Sequence, residues 1–559
     1  MSDRHYAHWP AHLPSHHLTL PATNLYRNVE VSALRYPDKP FLIFYGEKIS
    51  YARFQAETER LAGYLQHECG VGRGDRVLLD MQSSPQFAIG YYAILRADAV
   101  VVPVNPMNLT LELEHFVSDS GAKVALVAQE VLAQWEPLLD GGLERMIVAA
   151  YSDYLPQESA GNPVPPAFVA EPRQSFADAR VSLWNSALAA GFSPGPLANG
   201  PLDLCLLQYT SGTTGHPKGC MHTHRSVMYN TLAAMNWFGS QQDAVFLATL
   251  PFFHVTAMQG SMSGPLYIGA TVVILPRWDR TAVVEMIERY RVTSLHMIAA
   301  MVMDLLATPD IERHDLSSVR RISGGGAAMP EAVAQRMHDL LGLPYYEGYG
   351  MSETIAPTHL NPPQNPKKQC LGIPMFDVDS RVVDPETMKE LPPGEVGEII
   401  VNGPQVMTGY WNNEAATEAS FVTIEGKRFL RTGDLGTIDE DGYFFMVDRL
   451  KRMINASGYK VWPAEVESLL YHHPAIQEAC VIAAMDERRG ETVKAIVVLR
   501  AAEVGKVNAA DIIAWARENM AAYKVPRIIE FAESIPKSGA GKVQWRMLQD
   551  REMGRGAAP

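Results

Sequence analysis

Tyr209-Thr210-Ser211-Gly212-Thr213-Thr214-Gly215-His216-Pro217-Lys218-Gly219 follows the apolar run Leu204-Cys205-Leu206-Leu207 and precedes a helical pattern over 223–236. A strand, a loop of small residues and then a helix is the local order of an α/β domain. The loop gathers four small hydroxyl residues, three glycines and one lysine. Glycines allow close backbone approach, and a lysine adds a point charge to the hydroxyls and amides, so the segment can cradle a polyphosphate. It is not a Walker loop, which requires Gly-Lys-Ser/Thr, because Pro217 precedes Lys218 and Gly219 follows it.

Outward from this loop, from about Asn24 to Tyr349, helical patterns alternate with short apolar runs, as expected for strands buried on both faces. Helices are expected over 51–68, 223–236, 281–290 and 330–341. Strands are expected at 77–79, 100–102, 124–126, 204–207, 271–275 and 319–322. Residues 152–202 are rich in Pro, Ala, Gly and Ser, with one short helical pattern near 182–190, and read as a surface excursion rather than a linker. Between about 371 and 447, short strands (380–383, 397–401) are punctuated by PPG, NGP and DEDG turns, which suggests a small β subdomain. After Asp448 a strand at 495–499 and a helix at 509–519 belong to a tail long enough to form its own domain.

The 559 residues are 47% hydrophobic and 20% charged, enough to bury several cores. A net charge of -14 argues against a general electrostatic fit to nucleic acid or to an anionic membrane, so anionic ligands need a local basic site. Five scattered cysteines without CxxC spacing fit neither a disulfide framework nor a thiolate zinc site and point to a reducing compartment. No run reaches signal-peptide or bilayer-spanning length, so a cytoplasmic enzyme without an integral membrane segment is expected. His5, His8, His12, His16 and His17 are irregularly spaced in a Pro-containing arm and read as adventitious surface histidines.

The loop at 209–219 closely resembles the phosphate-binding signature of the adenylate-forming superfamily, which comprises acyl-CoA synthetases, nonribosomal-peptide adenylation domains and firefly-type luciferases. Further motifs of that family follow in order, and the resemblance runs from about residue 40 to 546. Ser323-Gly324-Gly325-Gly326-Ala327-Ala328-Met329-Pro330 lacks side-chain bulk, and by resemblance Gly324, Gly325, Gly326 and Ala327 border adenine and the acyl group. In Tyr349-Gly350-Met351-Ser352-Glu353-Thr354, an aromatic face suits a purine and a carboxylate oxygen suits Mg²⁺. The resemblance assigns Tyr349 and Ser352 to the nucleotide, Glu353 to Mg²⁺ and Met351 to the acyl side. In Arg431-Thr432-Gly433-Asp434, the acceptor-only carboxylate of Asp434 matches two ribose hydroxyls. The run from Asp448 to Glu467 resembles the inter-domain segment, which implies a nucleotide contact for Arg449, a hinge at Lys451 and a thioester-step role for Lys460. Pro536 to Arg546 resembles the C-terminal signature, with Lys542 as the adenylation lysine. Pro251-Phe252-Phe253-His254 resembles the lining of the acyl and pantetheine passages, with His254 as a gate.

The resemblance implies an α/β fold with a large N-terminal domain (1–448) of two α/β subdomains plus a small β subdomain. A small mobile α+β C-terminal domain (449–559), hinged at 449–451, would follow. It implies ATP, Mg²⁺ and CoA as cofactor and co-substrates, a carboxylic acid as substrate, and Lys218, Glu353, Lys460 and Lys542 as catalytic residues. Because a carboxylate is a poor acyl donor, it first becomes acyl-AMP and then an acyl-CoA thioester. The small residues at 324–327 and Met351, with no obvious partner for an ammonium group, favour medium- to long-chain fatty acids, with aryl or alicyclic acids second. Rival readings are a fatty acyl-AMP ligase, a luciferase-like oxygenase, a P-loop ATPase and an inactive nucleotide sensor. A peptide-synthetase module is disfavoured because the sequence stops at Pro559 without a carrier domain. A homodimer is compatible with all of these.

Overall fold

The computed structural model describes residues 3–157, 163–210, 217–326, 328–456, 459–486, 490–537 and 543–554. Two compact units divide the chain: Ser2–Asp379 with Val401–Leu430, and Ser380–Ile400 with Arg431–Pro559.

The first unit holds two large sheets. One has seven strands in the spatial order Val181–Leu183, Arg145–Ala149, Val124–Ala128, Arg76–Asp80, Val100–Val104, Leu204–Tyr209 (β1) and Gly219–Thr223 (β2). All neighbours are parallel except the β1–β2 hairpin at the edge. Val100–Val104 and Val124–Ala128 are buried at every position, which is why they read as unbroken apolar runs rather than as alternation. The strand β2 runs directly into helix α1, His224–Trp237, whose first turn is capped by the Thr223 hydroxyl accepting from the Ser226 amide.

The second sheet has nine strands: Glu47–Ser50, Pro40–Phe44, Thr271–Ile274, Val245–Ala248, Ser294–His296, Arg321–Gly325 (β3), Tyr345–Met351 (β4), Ala356–Leu360 (β5) and Ile373–Pro374. Its interior is parallel, and the pairs at both ends are antiparallel.

Three details differ from the sequence reading. The strand expected at 319–322 starts at Arg321 and runs into the glycines, because Val319 still belongs to a turn bonded back to Leu316. The 152–202 stretch supplies an edge strand to the seven-stranded sheet and buries Trp184 completely. The N-terminal arm is packed rather than free: His5 is buried, Trp9 meets Trp237 edge-on at 4.8 Å, and His17 Nδ1 lies 2.5 Å from the Asp377 carboxylate.

In the second unit, strands Ile454–Ala456, Tyr459–Val461, Ile476–Asp486, Gly490–Leu499 and Ile528–Phe531 form one sheet. Its apolar face packs with Val466 and Leu470 of helix Pro463–Leu470 and Ile512 of helix Ala509–Asn519. Asp379–Val383, Gly397–Asn402 and Lys427–Ile438 (β6), strands whose larger parts lie in this unit, are neighbours in a further sheet, in which Phe444–Arg449 (β7) also pairs with β6. Mixed α/β layers are therefore the architecture. Among the described residues no helix is long and apolar enough to cross a membrane, and the five cysteines form no disulfide with one another.

Candidate functional site

The hairpin of β1 and β2 ends in a closed neck. Tyr209 pairs with Gly219, the Thr210 amide donates to Lys218 O at 2.9 Å, and the Lys218 amide reaches Thr210 Oγ1 at 3.4 Å. The tip between them carries Ser211, Gly212, Thr213, Thr214 and Gly215, which lie outside the described residues. The neck is braced from outside. Tyr209 OH donates to the Asp119 carboxylate at 2.6 Å, Trp411 Nε1 donates to Asp119 O, and His115 Nε2 bonds Pro217 O at 2.8 Å. A loop whose two limbs are hydrogen-bonded at the base presents Lys218 from a fixed backbone.

Glu353 sits in the turn between β4 and β5, and four consecutive carbonyls of that turn are held. Ser352 O accepts from His222 Nε2 at 2.8 Å, Glu353 O from the Met407 amide at 2.8 Å, and Thr354 O and Ile355 O from Asn230 Nδ2 at 2.9 and 2.8 Å. The grip answers a local difficulty: Ile355 and Ala356 both have positive φ, at 46° and 76°, which side chains other than glycine adopt at a cost. His222 is completely buried, and burial pushes its imidazole down to about 4, so it is a neutral donor at ordinary pH.

The side chains of the two segments meet on one residue. Tyr410 OH donates to Glu353 Oε1 at 2.8 Å, and Lys218 Nζ stands 5.0 Å from the centre of the Tyr410 ring. Lys218 and Glu353 stand out in the sequence, whereas Tyr410, Asn230 and His222 do not. Nothing in their spacing marks them, since each acts through a contact distant in the chain. Met351 packs with the small cluster of Cys220, Met407, Tyr410 and Leu430.

Behind this turn, the Tyr349 ring lies 5.6 Å from that of His359 across the β4–β5 pair. Gly324 and Gly325 continue strand β3, where a Cβ on Gly324 would meet Met297 O and Tyr345 OH at 2.1 Å, and one on Gly325 would meet Gly348 O at 2.4 Å. These two glycines are therefore required by protein packing. Gly326 is the turn residue, at φ 85°. Ala327 lies outside the described residues. His254 is half-buried, and its Nδ1 accepts from the Thr256 amide at 3.4 Å, so its ring also starts a helical turn. Glu347, which the sequence reading passed over, is buried on β4 and accepts from the Met329 amide at 3.3 Å. Burial pushes its carboxyl up to about 7.

In the second unit, Asp434 on β6 faces Arg449 on β7, with Arg449 Nε 2.9 Å from Asp434 Oδ1. The Asp434 side chain is 2% exposed. The strands thus bring together the two residues expected to hold ribose and nucleotide. Gly433 beside them has φ 68°, and its amide donates to Glu398, which also takes Arg431 at 2.6 Å. The expected hinge residue Lys451 lies in the short turn Leu450–Arg452, and Lys460 lies on Tyr459–Val461. Their side chains, and the whole of Lys542, lie outside the described residues. Next to Lys451, Arg452 is held by Glu467 at 2.5 Å. Asp448 accepts the Arg449 and Ala464 amides at 2.6 Å each, which ties the end of β7 to the first turn of helix Pro463–Leu470.

Residues 29–411 match the AMP-binding enzymes, and residues 465–542 match the AMP-binding enzyme C-terminal domain. A long-chain-fatty-acid–CoA ligase of Bacillus subtilis strain 168 is 34% identical over 555 residues, covering 98% of this chain and 97% of the relative. Among solved structures, ATP-bound MatB of Rhodopseudomonas palustris superposes with a TM-score of 0.83 at 27% identity, over 95% of this chain and 99% of that one. The anthranilate CoA ligase AuaEII in complex with anthranoyl-AMP gives a TM-score of 0.82 at 27% identity, over 96% and 98%.

Proposed function

The chain belongs to the family of AMP-binding enzymes, and from that premise we propose that it joins a carboxylic acid to CoA through an acyl-AMP intermediate. In the first half, a carboxylate oxygen attacks the α-phosphorus of ATP, the bond to pyrophosphate breaks, and acyl-AMP forms. In the second, the CoA sulfur attacks the acyl carbonyl and AMP leaves. The observation that carries this reading is the convergence of Lys218 and Glu353 on Tyr410. A cation from the phosphate-loop neck faces the ring of this tyrosine, and a carboxylate from the β4–β5 turn accepts from its hydroxyl.

The chain's own residues mainly fix charge in place. Lys218, Lys542 and the loop amides would hold phosphate oxygens, donors preorganised for charge that spreads as pyrophosphate departs. Tyr349 offers the aromatic face for adenine, Ser352 lines the same turn, and Asp434 with Arg449 takes the ribose and phosphate side. Among the described residues no three His, Cys, Asp or Glu side chains cluster to form a metal cage. Glu353 supplies one hard oxygen, which fits Mg²⁺, a cation usually shared between one or two carboxylates and substrate phosphates. When bound, Mg²⁺ would neutralise phosphate charge. The domain boundary at 448/449, the pivot at Lys451 and the thioester-step role of Lys460 belong to the same proposal. Five cysteines without a disulfide among them favour a reducing, cytoplasmic setting.

For the acid, the similarity to a long-chain-fatty-acid–CoA ligase supports a medium- or long-chain fatty acid. The similarity to an anthranilate CoA ligase supports an aryl acid as the second reading. Pyrophosphate release should be measured with acetate, octanoate, dodecanoate, anthranilate and free amino acids, and the nucleotide and CoA products separated. Release should depend on an acid and on Mg²⁺, with AMP and acyl-CoA as products and octanoate or dodecanoate preferred. ADP as the main nucleotide product, or a preference for acetate, would reject the proposal.

A further inference from the structure

The segment 407–411 is anchored at both of the places that the reaction needs. The Met407 amide donates to Glu353 O at 2.8 Å and the Trp411 amide to Gly219 O at 2.8 Å, while Met221 and Gly409 bond by backbone between them. Cys220, two residues past Lys218 on β2, forms a backbone bridge with Tyr410, so Tyr410 is fixed there by its main chain. Its amide also donates to the Thr417 hydroxyl oxygen at 2.9 Å. From this fixed point the side chain reaches Glu353 with its hydroxyl and Lys218 with its ring. We propose that Tyr410 is a positioning residue of the adenylation site, which keeps the Glu353 carboxylate and the Lys218 ammonium apart and aimed until ATP and its metal arrive.

The need for such a residue follows from charge. Lysine and glutamate beside the same neck would attract each other, and a direct ion pair would consume the two charges that phosphate and metal require. Among the described residues Lys218 has no carboxylate within ion-pair distance, and its ammonium faces the Tyr410 ring instead. A phenol suits the task because it offers each charge a partner weaker than the ligand: a neutral hydroxyl for the carboxylate, and a π face for the ammonium. Both contacts are therefore easily exchanged for Mg²⁺ and phosphate. The ring also sets the distance between the two charges, which a flexible polar side chain would not.

This inference rests on the reading of Glu353 as the metal-side carboxylate and Lys218 as the phosphate-side cation, and its test separates the two levels. Full-length wild type, Tyr410→Phe, Tyr410→Leu, Glu353→Gln and Tyr410→Phe/Glu353→Gln would be compared by thermal unfolding and by binding of ATP in EDTA. ATP binding would then be titrated with Mg²⁺, and carboxylate-dependent pyrophosphate release measured. Tyr410→Phe keeps the ring and loses the hydroxyl, so the Mg²⁺ needed for half-maximal ATP binding should rise about tenfold, with ATP binding in EDTA unchanged. Tyr410→Leu loses the ring as well, and should also weaken ATP binding in EDTA about tenfold. In the Glu353→Gln background, Tyr410→Phe should add no further Mg²⁺ effect. A folded Tyr410→Phe with wild-type Mg²⁺ dependence, while Glu353→Gln shifts it, would overturn the role of Tyr410 alone. An unshifted Glu353→Gln would overturn the metal reading and this inference together. Equal loss of ATP binding in EDTA for Tyr410→Phe and Tyr410→Leu would also overturn it. Tyr410→Phe decides the matter even if Tyr410→Leu fails to fold.

Discussion

His222 shows how a single buried side chain can serve the site without touching substrate. It is a neutral donor to Ser352 O because burial holds its imidazole at about 4, below the ordinary 6.5. Between those values the unfolded chain binds a proton there that the folded chain refuses. Its contribution to stability is therefore complete above pH 6.5, declines as pH falls through the window, and is lost below about 4. At about 1.4 kcal/mol per unit, the ceiling is on the order of 3 kcal/mol. Asp80 and Glu347, both pushed up to about 7 by burial, act in the opposite direction, because the folded chain protonates them first. The useful measurement is thus a difference. Urea unfolding at pH 7.5, 6.0 and 5.0 should show wild type losing stability relative to His222→Gln, which keeps an N–H donor but does not titrate. Parallel pH profiles would mean that folding leaves the His222 imidazole at its ordinary value, against the burial argument.

At the scale of elements, the β4–β5 turn is the part that had to be built against local preference. Two successive side-chain-bearing residues at positive φ would relax if nothing held them, and Asn230, 1% exposed on helix α1, spans two of the carbonyls. Asn230→Ala leaves both without that donor in a buried place. The expected loss is about 1–3 kcal/mol in urea unfolding, a cost typical of an unsatisfied buried group. It should come with slower pyrophosphate release, because Glu353 is carried on the same turn. An Asn230→Ala protein of wild-type stability and rate would mean that the turn is fixed by its strand pairings alone. The strands themselves were legible beforehand: 77–79, 100–102 and 124–126 lie inside observed strands because burial on both faces writes an unbroken apolar run. The end of β3 was not legible. Glycine usually signals a turn, yet Gly324 and Gly325 extend the strand because Met297 O, Tyr345 OH and Gly348 O occupy the space a side chain would need.

For the whole molecule, the proposed chemistry assigns one lysine to each half-reaction. Lys542 would stabilise charge only while pyrophosphate departs, so Lys542→Ala should slow acyl-AMP formation by a factor on the order of a hundred to a thousand, equivalent to about 2.7–4 kcal/mol. Conversion of synthetic acyl-AMP and CoA to acyl-CoA should stay near the wild-type rate. Lys460→Ala should impair the CoA step more than adenylation. Each variant would be assayed on each isolated half-reaction. Equal slowing of both halves by a folded Lys542→Ala would favour a single fixed active site.

The α/β class, the order of most elements, the family and the candidacy of Lys218, Glu353, Tyr349, Asp434 and Arg449 are legible in the residues alone. These are written locally: periodicity records which face is buried, and ligand-binding loops carry residue types that packing alone would not select. It takes the packed molecule to show that Tyr410 contacts both Lys218 and Glu353, that His222 and Asn230 hold the turn carrying Glu353, and that the N-terminal arm is packed through Trp9. Each of these is a contact between residues distant in the chain. A tyrosine or an asparagine has the same local signature whether it faces water or braces a carboxylate, and only the packing of strands and helices tells the two apart.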